Sequence, residues 1–198
     1  MFLQGGAVLA FEDLQLSETL FWGIVAFMNF YCIWVQTGKE DAYIREMYDT
    51  LRDKEDSPEF ELYFFKKEMR LKNGKEYMES FFPGYVFLKT PADDVHTLLP
   101  FTKGKGFVRF LPQTKDAQPL SQNDVEIIQS ILKFGSTIGI VHVDFNEDDR
   151  IVILDGPFKD FRGKVIAVNR RNKRVNVQFD FMNGLKVVGL TYEVVKRV

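Results

Sequence analysis

The stretch from residue 150 to residue 179 constrains this chain most. A β-branched run from Arg150 to Leu154 is followed by a tight turn at Asp155, Gly156, Pro157 and Phe158. Gly163 opens a second run through Lys164, Val165 and Ile166, and Arg174 to Phe179 alternates apolar and polar residues. β-branched and aromatic side chains at every second position suit a pleated, half-buried surface. The interrupting glycines and proline punctuate it into short strands and disfavour helix. This pattern predicts a small SH3-like β-barrel over 147–198 that stays β. Its interior would be filled by Ile151, Ile153, Val165, Val168, Val175, Val177, Phe179, Val187 and Leu190.

The same stretch carries its cations on loops. Arg170, Arg171, Lys173 and Arg174 place four charges in five residues, with Lys159, Arg162 and Lys164 on the loop before. The formal net charge of −2 hides this, because residues 144–198 hold 11 basic and 8 acidic side chains. A solvated hairpin is one reading. Concentration into two neighbouring loops favours the other, a surface for phosphates and splayed bases.

Upstream, Phe30 to Gln36 predicts a buried strand, and Lys39 to Arg52 a helix with Thr37 and Glu40 as a capping box. A strand at 60–65 precedes a polar hairpin over 66–79 that turns at Asn73-Gly74 and projects into solvent. Strands follow at 85–89 and 106–111. A short helix at 93–99 and a longer one at 121–134, capped by Ser121, complete the set. The order implies an α+β unit over 29–134, an antiparallel sheet with packed helices. Residues 135–146 are expected to act as a linker.

Residues 1–28 contain Glu12, Asp13 and Glu18 and no Lys or Arg. The apolar run at 20–35 lacks the positive flank of a signal peptide, and its second half suits a strand better than a membrane span. Two readings stand: an upstream extension with Met28 as the true start, or a short amphipathic helix over 11–27. Cys32 is the single cysteine, so no internal disulfide is expected. His96 and His142 have no partner at ligand spacing, and Asp93-Asp94 and Asp148-Asp149 do not converge on a substrate. No catalysis, metal or cofactor is expected.

Three motifs stand in one order: Ser80-Phe81-Phe82-Pro83-Gly84-Tyr85, Lys105-Gly106-Phe107-Val108-Arg109-Phe110-Leu111, and Gly156-Pro157-Phe158 with Arg162-Gly163-Lys164. Together with Phe30-Tyr31 and Thr37-Gly38-Lys39-Glu40 they resemble the NusG family of transcription elongation factors over 29–198. The resemblance implies an NGN-type domain that binds RNA polymerase and a KOW barrel that binds RNA or a protein. It maps the polymerase contact onto Phe82 and Tyr85, with Phe81, Phe30 and Tyr31 beside them. Lys103, Lys105 and Arg109 are expected to meet the non-template DNA strand, with Phe101 and Phe107 as stacking faces. Lys159, Arg162, Lys164, Arg170, Arg171, Lys173 and Arg174 would meet nascent RNA.

The Ile138-Gly139-Ile140 approach and the arginine turn are similar to the LoaP-type antiterminators. Asp148-Asp149 departs from the Gly-Asp that often precedes the first barrel strand in the family. A monomeric, cytoplasmic, bacterial factor with no membrane partner is implied. The alternative is a ribosome-associated RNA binder, against which the slightly acidic 29–143 segment speaks.

Overall fold

The central strand β1 (Asn29–Val35) is buried on both faces, which explains its unbroken apolar run. Tyr31, Ile33 and Val35 enter one core, while Phe30 and Cys32 enter another. The computed structural model describes residues 28–54, 57, 59–91, 93, 95–112, 117–147, 150–159 and 164–195. The expectations for residues 1–27 and for Arg162 therefore lie outside the described residues.

Strand β1 pairs antiparallel with β5 (Tyr85–Thr90) and β6 (Phe107–Leu111), and β2 (Glu61–Tyr63) flanks β5. Helix α1 (Glu40–Leu51) covers one face with Tyr43, Met47 and Leu51, at four-residue spacing. The short α2 (Val95–Leu98) and the 3-10 turn Leu99–Lys103 add Leu98 and Phe101 to that core. On the opposite face, α3 (Gln122–Leu132) supplies Ile128 and Ile131. Ser121 caps α3 as expected, its Oγ accepting from the Asp124 N–H at 3.3 Å. The capping box at Thr37 is not formed. Glu40 is buried instead, and its carboxylate accepts from the N–H of Gly38 at 2.7 Å and of Gly84 at 2.8 Å.

The hairpin of β3 (Lys66–Arg70) and β4 (Glu76–Ser80) turns at Asn73-Gly74, where Gly74 has φ +84°. It was expected to project into solvent, and β4 does. Strand β3 does not, because Lys67 and Met69 are buried against the second sheet. Strand β7 (Thr137–Ile138) adds to β3 in parallel.

The second sheet holds β8 (Val141–Phe145), β9 (Ile151–Ile153), β10 (Lys164–Asn169), β11 (Arg174–Phe181) and β12 (Gly184–Val194), in the order β10-β11-β12-β8-β9. The C-terminal part is therefore β as expected, but a closed barrel is not seen among the described residues. The cause is β8, which comes from the segment read as a linker. It adds in parallel to the end of β12 (Tyr192↔Val141, Val194↔Val143), and β9 pairs with β8. Strands β9 and β10 are left as the two edges.

The expected interior is corrected at two positions. Val187 is exposed because it lies opposite Gln178, and antiparallel partners share a face. Val168 lies opposite buried Val175 and so keeps the inner face, but it is exposed because β10 is an edge strand with no neighbour on its other side among the described residues. Val175, Val177, Phe179 and Leu190 are buried, and Val188 replaces Val187. Among the described residues no helix is long and apolar enough to cross a membrane.

Candidate functional site

The two sheets meet along a seam of phenylalanines. Strand alternation would send Phe81 and Phe82 opposite ways, leaving one exposed; both are buried, at 3% and 4% exposure. Residues 81–84 form a turn, not a strand: the Phe81 N–H donates to the Phe65 carbonyl and the Tyr85 N–H to the Phe82 carbonyl. Alternation therefore does not govern them. Phe82 stacks on Phe181 of the second sheet, with centroids 4.7 Å apart and planes 14° apart. It meets Phe87 and Phe65 edge-on. Phe81 lies 5.8 Å from Phe158 and 6.4 Å from Phe179.

The expected polymerase-contact set is thus mostly interior. Phe81 and Phe82 lie under the second sheet, and Phe30 belongs to the same cluster. Tyr31 lies in the other core beneath α1. Tyr85 alone keeps surface, with the Lys186 ammonium 5.5 Å over its ring.

The turn that sets these rings is held by Glu40 and requires glycine. Gly84 has φ +81°, and a Cβ there would stand 3.0 Å from the Val35 carbonyl oxygen. One buried carboxylate thus ties the start of α1 to the aromatic turn.

Sequence reasoning missed Trp34. It lies directly across from Tyr85 on one side and from Arg109 on the other, so all three share a face. The Arg109 guanidinium stands 5.0 Å over the indole, which is 37% exposed. With Lys186 the row alternates cation, ring, ring, cation across the two sheets. The signal was present: β1 alternation puts Trp34 on the Cys32 face, beyond the end of the buried run. The stacking role expected of Phe101 is not available, and Phe107 is half-buried. Phe101 is fully buried, and Phe107 packs edge-on against Phe110 at 5.8 Å. Lys103, Lys105 and Arg109 are exposed. The Lys105 backbone N–H donates to Glu46 Oε2 at 2.8 Å.

The cationic turn joins β10 to β11. Asn169 Oδ1 accepts from the Asn172 N–H at 3.0 Å, and Lys173 adopts φ 49°, which fixes a tight reversal. Arg170, Arg171 and Lys173 are exposed there; Lys159 and Lys164, also exposed, lie before and at the start of β10, away from the turn. Arg170 stands 4.6 Å over the Phe145 ring.

Arg174, expected to meet RNA, is spent elsewhere. Its Nη1 donates to Thr191 Oγ1 at 2.7 Å and contacts Met69 Sδ at 2.9 Å, and its Nη2 donates to the Arg70 carbonyl at 2.8 Å. It therefore fastens β11 to β3.

Three further bonds cross the same boundary. Lys67 Nζ donates to the Gly189 carbonyl at 3.0 Å, the Arg70 N–H to Thr191 Oγ1 at 3.3 Å, and the Met182 N–H to Asp124 Oδ1 at 2.7 Å. Arg70 also pairs with Glu193, and that hydrogen bond holds the Glu193 carboxyl below the usual carboxylate range. Cys32 lies in the same interior, close enough to feel the charge of Lys186. Burial pushes its thiol pKa well above the usual value. No group of three His, Cys, Asp or Glu that could hold a metal occurs among the described residues.

Comparison with known proteins agrees with this two-part organisation. Residues 28–129 match the family described as "Transcription termination factor nusG", and residues 147–178 match the KOW motif. The chain is 22% identical over 143 residues to the transcription termination/antitermination protein NusG of Borreliella burgdorferi, covering 67% of this chain and 77% of that protein. It is 30% identical over 119 residues to the protein of that name from Neisseria meningitidis, covering 57% and 66%. Against that of Bacillus subtilis it is 28% identical over 116 residues, covering 57% and 64%. The chain thus spans about two thirds of the length of the last two relatives. Among solved structures, "Domain interaction in Thermotoga maritima NusG" aligns at TM-score 0.53 and 17% identity, over 83% of this chain and 93% of that one. The ordered pair of matched regions places the chain in the NusG family of transcription termination/antitermination factors.

Proposed function

We propose that the chain is a non-catalytic elongation factor of the LoaP-like antiterminator kind. Residues 29–134 grip RNA polymerase and residues 147–198 engage nascent RNA. The observation that carries this reading is the extent of the aromatic face. Trp34, Tyr85 and Phe82 lie side by side on the first module, yet only Phe82 is roofed by Phe179 and Phe181. An apolar face longer than its cover suits a larger partner that competes with the cover.

The polymerase surface would displace the second sheet and take Phe82, Tyr85 and Trp34 together. A factor bound only to the elongating polymerase shifts the population away from paused and terminating states. The exposed turn of Arg170, Arg171 and Lys173 would then hold RNA at high local concentration near the polymerase. Lys103, Lys105 and Arg109, with Trp34 as the stacking face, would line the path of the displaced DNA strand.

The direct test is transcription in vitro through a terminator, with wild type and with Trp34→Ala/Tyr85→Ala, on templates that differ in leader sequence. Read-through that rises with wild type and not with the double variant supports the reading. Co-sedimentation with ribosomes in high salt, with no capture of polymerase, overturns it.

A further inference from the structure

The hairpin of the first module ends its sheet on a strand with one side unused. In the order β4-β3-β7, β4 pairs with β3 alone among the described residues, and Glu76, Tyr77, Met78 and Glu79 are all exposed. The ladder runs from Lys66↔Ser80 to Arg70↔Glu76 without a bulge. Its phase is set at both ends: the Leu71 N–H donates to the Lys75 carbonyl at 2.8 Å, and the Phe81 N–H to the Phe65 carbonyl at 2.8 Å. Bonded and unbonded pairs alternate along an antiparallel ladder, so Tyr77 and Glu79 commit their backbone groups to β3. Glu76, Met78 and Ser80 therefore aim theirs outward.

Proteins ordinarily blunt such an edge with lysine, proline, a bulge or brevity. Strand β4 carries no lysine, proline or bulge. Its two carboxylates are already paired within the chain. Glu76 Oε1 accepts from Arg70 Nη2 at 2.6 Å and from Nε at 3.0 Å, and Glu79 stands 3.2 Å from Lys67 Nζ. Between them Met78 is 57% exposed.

We propose that β4 pairs with β4 of a second copy, joining two three-stranded sheets into one. The strand is complementary to itself in one antiparallel register, centred on Met78. Met78 then meets its own counterpart, Glu76 lies opposite Ser80 of the other copy, and Tyr77 opposite Glu79. All three outward residues find outward partners, each pair exchanging two hydrogen bonds, and no glutamate faces a glutamate. A slip of one residue sets outward groups against committed ones. A slip of two loses one bonded pair, and toward the C-terminal end it puts Glu79 against Glu79. With its charges neutralised, the edge offers a foreign peptide little to select on, whereas its own sequence supplies the match. Each copy uses its one free β4 edge, so the assembly closes at two. A strand this short covers less than an ordinary interface, so the midpoint of association is on the order of 100 µM.

The test is sedimentation equilibrium of the full-length chain between about 10 and 500 µM, with residue-resolved amide exchange over the same range. The average mass is expected to rise from 23.1 kDa toward twice that. Exchange should slow about threefold at Glu76, Met78 and Ser80, and stay constant at Tyr77 and Glu79, which β3 already protects. Met78→Pro removes an outward N–H that β3 does not use, so the hairpin stays while self-association weakens at least tenfold. Met78→Cys should cross-link under mild oxidation at least tenfold faster than Tyr77→Cys. Only position 78 meets its counterpart, at about 5.5 Å between Cα atoms, and Cys32 is buried.

A mass that stays at 23.1 kDa to the top of the range overturns the proposal. So does a dimer that Met78→Pro leaves intact, equal cross-linking of the two cysteine variants, or concentration-dependent protection at other amides alone. Protection of the three amides by added polymerase, with none on self-concentration, assigns the edge to polymerase and overturns the second-copy reading. Mass and exchange of the wild type decide the matter even where a variant does not fold.

Discussion

Phe181→Ala should separate the two sheets without unfolding either. The ring is almost fully buried, and three aromatic neighbours touch it: Phe82 at 4.7 Å, Phe87 at 5.9 Å and Phe179 at 6.5 Å. Two of the three belong to the first module. Truncating a buried phenylalanine costs about 3–5 kcal/mol, so roughly 2–3 kcal/mol of that loss falls on docking. That corresponds to about a 30- to 150-fold rise in the open fraction.

Cys32 reports the change, since it is the single thiol of the chain and is fully buried beside the seam. Alkylation by iodoacetamide at pH 8 in native buffer proceeds through the open population, so its rate should rise by the same factor. Polymerase affinity should rise in parallel, because apparent affinity scales with the competent fraction. An alkylation rate within threefold of wild type, with near-native circular dichroism, would refute the argument that Phe181 holds the two modules together.

Glu40→Gln removes the charge from two backbone hydrogen bonds and should cost about 2–4 kcal/mol, read as a lowered denaturation midpoint at unchanged slope. Arg171→Ala/Lys173→Ala should reduce the magnitude of the salt dependence of RNA affinity, log K against log salt, by about 1.5. Arg174→Ala should leave that slope unchanged and accelerate Cys32 alkylation, because it acts on docking. Glu193 has its carboxyl pKa lowered by Arg70 across the boundary. Its contribution to docking is therefore full above the ordinary carboxylate range and fades as pH falls through the lowered value. X-ray scattering should show domain separation on acidification, with Glu193→Gln already weaker at neutral pH and less sensitive below it.

The strands and helices of the first module were legible because each carries its own periodicity: Tyr43, Met47 and Leu51 in α1, and the cap at Ser121. What sequence could not show is which apolar face meets which. Phe82 was expected at the surface because the family resemblance maps the polymerase contact onto it, and Arg174 was expected to meet RNA because it stands in a run of cations. In both cases the deciding partner lies about a hundred residues away, at Phe181 and at Arg70. Local chemistry carries no trace of such pairings. Trp34 was the opposite case. Its position on β1 was readable, but it falls at the strand's end, where the cover stops.

The segment between the modules has a mechanical consequence. Strand β7 belongs to the hairpin of the first module and β8 to the second sheet, and only Gly139 and Ile140 lie between them. With both strands zipped, that leash spans at most about 7 Å, too short for the C-terminal half to swing clear. Peeling β7 and β8 frees the nine residues from 137 to 145 and lengthens it to about 30 Å. How far the RNA-binding end would roam is thus set by two short parallel ladders and by the antiparallel pairing of β8 with β9.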